Sequence, residues 1–122
     1  MHHIGAVAER TGLSLRTLRH YDEVGLLRPS ARSEGGFRLY TDADVERLLL
    51  IRRMKPLGFS LEEMSDLLRV ADTLGAEAVD PDERPAARDR LAGYVTAAEE
   101  RRADLARKLE MADELIALLH RL

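Results

Sequence analysis

The sequence predicts a mainly α-helical chain: two short helices joined by a tight turn, a small β-hairpin, a second helix pair and one long C-terminal helix. Three observations carry that expectation. Leu, Ala, Arg and Glu dominate the 122 residues, which is the alphabet of good helix formers. Apolar residues recur at helical spacing, and Gly35-Gly36 with Phe37-Arg38-Leu39-Tyr40 interrupts them. From Leu91 to Leu119 every seventh position holds Leu or Ala.

Between Ile4 and Tyr21, the residues Ile4, Val7 and Ala8, then Leu15, Leu18 and Tyr21, form two short stripes broken at Thr11-Gly12. Gly12 suits a left-handed turn position, and Ser14 can cap the next helix by accepting a backbone N–H. Two helices about four residues apart have helix-turn-helix spacing, with Ala8 small enough for close approach and Leu18 locking the second helix. Between Arg28 and Tyr40, Ser33-Glu34-Gly35-Gly36 supplies a turn, and Phe37 and Leu39 alternate with Arg38 and Tyr40 as in a strand. A hairpin placed directly after a helix-turn-helix is a wing. Thr41 with Asp44 resembles a capping box, and the helix it opens runs to about Lys55, burying Val45, Leu48, Leu49 and Ile51 or the stem of Arg52. Pro56 and Gly58 end it. Ser60 and Glu63 form a clearer box, and Leu61, Met64, Leu67 and Leu68 give the following helix its apolar face.

The fold class is therefore mainly α, a winged helix-turn-helix over residues 1–70 plus a long C-terminal coiled-coil helix over 86–122. The acidic, proline-containing stretch 71–85 reads as a linker or irregular connection. In the long helix, Leu91, Ala98, Leu105, Ala112 and Leu119 form one row, and Val95, Leu109 and Ile116 a second that Arg102 interrupts. An amphipathic helix lying on its own domain is the bland alternative. At about 1.5 Å per residue the helix is about 50 Å long, more than a domain of roughly 70 residues can cover, and its flanks are densely charged. Both facts favour self-association. Arg102 within the seam disfavours a uniform parallel zipper and points to antiparallel or locally open pairing.

Composition excludes several classes. Without cysteine there are no disulfides, thiolate metal sites or thiol sensing, and a reducing, cytoplasmic setting is expected. No apolar run approaches the roughly 18 residues needed to span a bilayer, so no membrane role is expected. Residues 1–58 hold ten Arg and Lys against seven Asp and Glu, a net of +3, whereas 59–122 hold nine against fifteen, a net of −6. A basic front half suits a polyanion, although scattered surface charge gives the same count. His2 and His3 without a carboxylate cluster do not make a metal site, and no nucleophile–base pair or phosphate-cradling loop appears, so neither metal, cofactor nor catalysis is expected.

These residues, in this order, resemble the MerR family of transcription regulators. Ile4-Gly5-Ala6-Val7-Ala8, Thr11-Gly12 and Ser14 resemble the family's opening helix and turn. Arg16-Thr17-Leu18-Arg19-His20-Tyr21-Asp22 is similar to its recognition-helix signature, with His20 where Tyr is common and Asp22 where Glu is common. Gly25-Leu26-Leu27 and Gly36-Phe37-Arg38-Leu39-Tyr40 resemble its helix exit and wing, and Leu57-Gly58-Phe59-Ser60-Leu61-Glu62-Glu63 the start of its second-wing helix. The resemblance covers 4–68 motif by motif and the coiled coil by pattern alone. It implies a homodimer that binds an inverted repeat in promoter DNA, bends and untwists it, and so controls transcription with RNA polymerase at that promoter. Metal- or oxidant-sensing members use cysteines that this chain lacks, and with the sequence ending at Leu122 a short form without a separate effector domain is expected.

Ser14, Arg16 and Thr17 stand where the second helix would enter a major groove, Arg16 being the candidate base reader because guanidinium grips guanine bidentately. Arg19 is a candidate for phosphate contact or helix packing, as is Tyr21. The resemblance implies that Arg38 holds phosphates, with Tyr40 either donating to phosphate or packing under the wing. Lys55 is placed for phosphate beside Gly58, while Arg52 and Arg53 either join it or solvate their helix. Two rival readings remain, an architectural or recombination-directionality protein with the same head, which the seven-residue repeat disfavours, and an interaction module built on the coiled coil without DNA.

Overall fold

The computed structural model describes residues 1–76 and 80–122. Its elements run β1 (His2–His3), α1 (Ile4–Thr11), α2 (Leu15–Glu23), β2 (Ala31–Arg32), β3 (Arg38–Tyr40), α3 (Asp42–Met54), a 3-10 turn over Lys55–Leu57, α4 (Leu61–Gly75) and α5 (Glu83–His120). Two compact units divide the chain, Met1–Leu68 and Arg69–Leu122.

The first unit is a helical head with a three-stranded sheet in the order β1-β3-β2. Gly12, at φ +71°, ends α1 in the left-handed conformation that costs glycine least, and its N–H donates to Ala8 O. The side chain of Arg52 on α3 reaches the end of α1 and donates to Thr11 O at 2.8 Å, satisfying a carbonyl that the helix leaves open. Arg52 is exposed, so its stem is not part of the α3 core, and fastening the turn is a role that the sequence did not show. Thr41 and Asp44 do form a reciprocal capping box, with Asp44 N donating to Thr41 Oγ1 at 3.1 Å and Thr41 N to Asp44 Oδ2 at 2.9 Å. Ser60 and Glu63 repeat the motif ahead of α4.

The core of this unit is Val7, Leu18, Tyr21, Leu26, Leu27, Tyr40, Val45, Leu48, Ile51, Met54, Phe59, Met64 and Leu68. Several expected positions differ. Leu15 and Leu61 each open a helix and stay exposed, and Leu49 is half-buried while Met54 takes the place of a fourth core residue on α3. The wing strand also inverts its expected rhythm, because Tyr40 is fully buried and Phe37 is 68% exposed. The strand packs on α1 and α3, and it is flanked by β1, which the sequence did not reveal. His2 pairs with Tyr40 and His3 with Leu39 on one side of β3, while Ala31 and Arg32 pair on the other, so β3 is a central strand. His2 Nε2 lies 2.6 Å from Asp42 Oδ1, with Arg10 donating to the same oxygen. The His2 contact, then Arg10, holds the exposed Asp42 carboxyl below its ordinary range. That contribution is complete above the ordinary carboxylate pKa and fades as pH falls through the lowered one.

In the second unit α5 spans 38 residues, about 57 Å at 1.5 Å per residue. It starts at Glu83, ahead of the 86 that its repeat suggests, because Pro85 falls in the first turn where no backbone N–H is needed. Arg84 donates to Ala76 O at 3.0 Å. Part of the 71–85 stretch is thus helical, in α4 to Gly75 and α5 from Glu83, and 77–79 lie outside the described residues. Ala87 is the buried residue of α5, and every side chain from Arg102 onward is exposed. Among the described residues no helix is long and apolar enough to cross a membrane, and no group of three or more His, Asp or Glu side chains could hold a metal ion.

Candidate nucleic-acid interface

The outer face of α2 follows from its cap. Ser14, extended at φ −74° and ψ 156°, accepts Thr17 N at 3.0 Å and donates to Thr17 Oγ1 at 2.8 Å, which fixes the first turn. Leu18 and Tyr21 then point into the core, so the helical repeat turns Arg16, Arg19, His20 and Glu23 outward. With Thr17 and Lys55 these line an open groove of about 590 Å³. Lys55 is brought there by the 3-10 turn after α3, and its Nζ lies 5.7 Å from the Tyr21 ring centroid, a cation–π distance. Three cations and one carboxylate on the rim of a concave surface suit a strip of phosphates flanking a polar edge.

The structure therefore gathers Arg16, Thr17, Arg19 and Lys55 in one groove and leaves Ser14 at its head as the cap. Arg38 stands apart on the wing, where Asp22 accepts its Nε–H at 2.7 Å and raises its pKa further. Tyr21 and Tyr40 are 1% and 0% exposed, and their hydroxyls are buried with no hydrogen-bond partner among the described residues. Both side chains therefore pack in the core, one of the two roles that the sequence held open for each. Burial also raises the Tyr40 pKa. His20 and Glu23 were missed as groove residues, although they follow Arg16 at helical i+4 and i+7.

The hydroxyls yield a test. Replacing an unpaired buried hydroxyl removes its desolvation cost, so Tyr21→Phe and Tyr40→Phe are each expected to hold or raise stability, by up to about 1 kcal/mol. Thermal melts check this. Affinity for selected DNA should stay within about threefold, and a loss of about tenfold, near 1.4 kcal/mol, would return a phosphate contact to that hydroxyl.

On α5 the seam residues Leu91, Val95, Leu105, Leu109, Ile116 and Leu119 are 36–65% exposed, with Ala112 exposed and Ala98 half-buried. Met111, Leu115 and Leu118 are exposed as well and widen the apolar face beyond the seven-residue rows.

A capped helix-turn-helix, a wing on a three-stranded sheet and a cationic groove along the outer face of α2 define a winged helix-turn-helix protein. Residues 3–70, more than half of the chain, match the MerR HTH family of regulatory proteins, and the chain belongs to that family. It is 53% identical over 62 residues to the HTH-type transcriptional activator mta of Bacillus subtilis (strain 168), a match covering 51% of this chain and 24% of the activator. The chain thus spans about a quarter of that relative's length. The solved structure of MtaN, the N-terminus of the Bacillus subtilis multidrug transporter activator, is similar with a TM-score of 0.58 at 34% identity, over 99% of this chain and 96% of that one. HiNmlR, a MerR family regulator lacking the sensor domain and solved bound to promoter DNA, is similar with a TM-score of 0.75 at 27% identity, over 98% and 90% of the two chains.

Proposed function

We propose that this chain is a sequence-specific DNA-binding transcription regulator of the cytoplasm that acts on promoter DNA as a homodimer. The observation that carries the reading is the groove lined by Arg16, Thr17, Arg19, His20, Glu23 and Lys55, on the outer face of a capped recognition helix. A similar chain bound to promoter DNA supports it. Residues 1–70 would be the DNA-binding head, 71–85 the connection and 86–122 the antiparallel dimerisation helix, with RNA polymerase as the further partner at the promoter. Two heads related by a two-fold axis read an inverted repeat. No enzymatic step is part of the reading.

Selection of bound sequences from random DNA, followed by footprinting, tests it: two protected half-sites in inverted repeat are expected. Protection without sequence preference would overturn it. Arg16→Ala and Arg38→Ala should then fail differently. A lost base contact costs roughly 1–3 kcal/mol at one operator position, whereas a lost phosphate contact weakens all sequences and lowers the salt slope by about 1. Uniform losses for both variants across operator mutants would remove Arg16 as the base reader.

Heads held by a rigid coil cannot both engage helix and wing on a straight duplex, so the operator centre should be bent and untwisted. Such bending costs about 1–6 kcal/mol, and easily deformed central steps should bind tighter even though no side chain touches them. Operators with identical half-sites and altered centres, compared by affinity and gel phasing, provide the measurement. Equal affinities with straight DNA would exclude distortion.

A further inference from the structure

One carboxylate ties α2 to both strands of the wing. Asp22 Oδ2 accepts from Arg38 Nε on β3 at 2.7 Å and from Arg32 Nη2 on β2 at 3.0 Å. Arg32 and Arg38 are direct partners across the ladder, where like charges repel. Asp22 also stands in the last turn of α2, where the helix dipole disfavours an acid. Neither placement is favourable alone, and each offsets the other. The Asp22 side chain is 12% exposed, against 24% for Arg38 and 48% for Arg32, so the carboxylate lies beneath the two cations. Arg32 further donates to Gly36 O at 3.2 Å, which draws the hairpin turn into the same cluster. With Nε held, the Nη groups of Arg38 are the part of its guanidinium left to meet an external anion.

We propose that Asp22 is a positioning residue for DNA binding, fixing the wing against α2 and presenting Arg38 to a phosphate. This rests on the DNA-binding reading above. The sign of its effect separates positioning from simple charge. A carboxylate near a DNA-facing surface repels phosphate, so removing it as a mere charge raises affinity for every duplex alike. Removing a positioning group instead lowers affinity for the operator relative to random DNA.

The experiment has a DNA-free arm and a DNA arm, using the full chain with Asp22→Asn and Asp22→Glu. Without DNA, tryptic cleavage after Arg32 and Arg38 is followed by mass spectrometry, with cleavage after Arg10 and Arg19 as the gauge of global opening. Cleavage tracks the population of the open form, so Asp22→Asn should speed the two wing cuts about fivefold while the gauge sites stay unchanged. Unchanged wing cuts, or a rise shared by all four sites, overturn the proposal whatever the protein binds. With DNA, the ratio of affinities for the selected operator and for a scrambled duplex should fall roughly tenfold in Asp22→Asn and recover in Asp22→Glu, which keeps the carboxylate. Equal gains on both duplexes overturn it. Failure of the unaltered protein to prefer any operator would defeat the DNA-binding reading, and the tryptic arm would still decide whether Asp22 holds the wing.

Discussion

Leu109→Asp is expected to convert the protein from dimer to monomer at micromolar concentration, as read by sedimentation. Leu109 is 65% exposed on an α5 whose side chains are all exposed from Arg102 onward, so nothing among the described residues covers it. In a two-fold pair the substitution occurs twice, and burying two unpaired carboxylates costs on the order of several kcal/mol per dimer. Leu105→Asp should do the same. Arg102→Leu should act in the opposite direction, since it replaces the one charge in the second row by an apolar side chain, and dimers should persist at greater dilution. A Leu109→Asp protein that remains dimeric would remove the seven-residue seam as the interface. The broader apolar face, with Met111, Leu115 and Leu118, would then be the place to substitute next.

Leu18→Ala should destabilise the head by roughly 2–5 kcal/mol, the usual range for emptying a buried leucine site. Leu18 is 1% exposed on the inner face of α2, among a core shared with α1 and α3. A head of this size has about 5–15 kcal/mol in total, so the thermal midpoint should fall by roughly 10–30 °C. Leu15→Ala, three residues earlier on the same helix but 39% exposed, should cost less than about 1 kcal/mol. The pair is informative because the two leucines occupy equivalent places in the sequence pattern. Equal destabilisation would mean that Leu15 is covered in solution by something outside the described contacts.

That pair also shows where sequence reading reaches its limit. Helical period identifies a stripe, yet a first-turn residue such as Leu15 or Leu61 extends past the neighbouring elements and stays wet. The groove was partly legible: Arg16, Thr17, Arg19 and Lys55 follow from motif and position, while His20 and Glu23 required knowing which face Leu18 and Tyr21 bury.

By itself the sequence determined the mainly helical class, the order of the helices and the wing, both capping boxes, the glycine turn after α1 and the seven-residue rows of α5. These rest on interactions within a few residues, on period and on local hydrogen bonds, which neighbours in the chain encode directly. Only the tertiary structure decided that His2–His3 forms an edge strand, that Tyr40 is core while Phe37 is exposed, that Arg52 fastens the first turn and that Asp22 clamps the wing. A two-residue strand has no period to read, and the pairings His2 with Tyr40 and Arg52 with Thr11 join residues about forty positions apart. Such contacts form when the chain closes on itself, and local pattern carries no record of them.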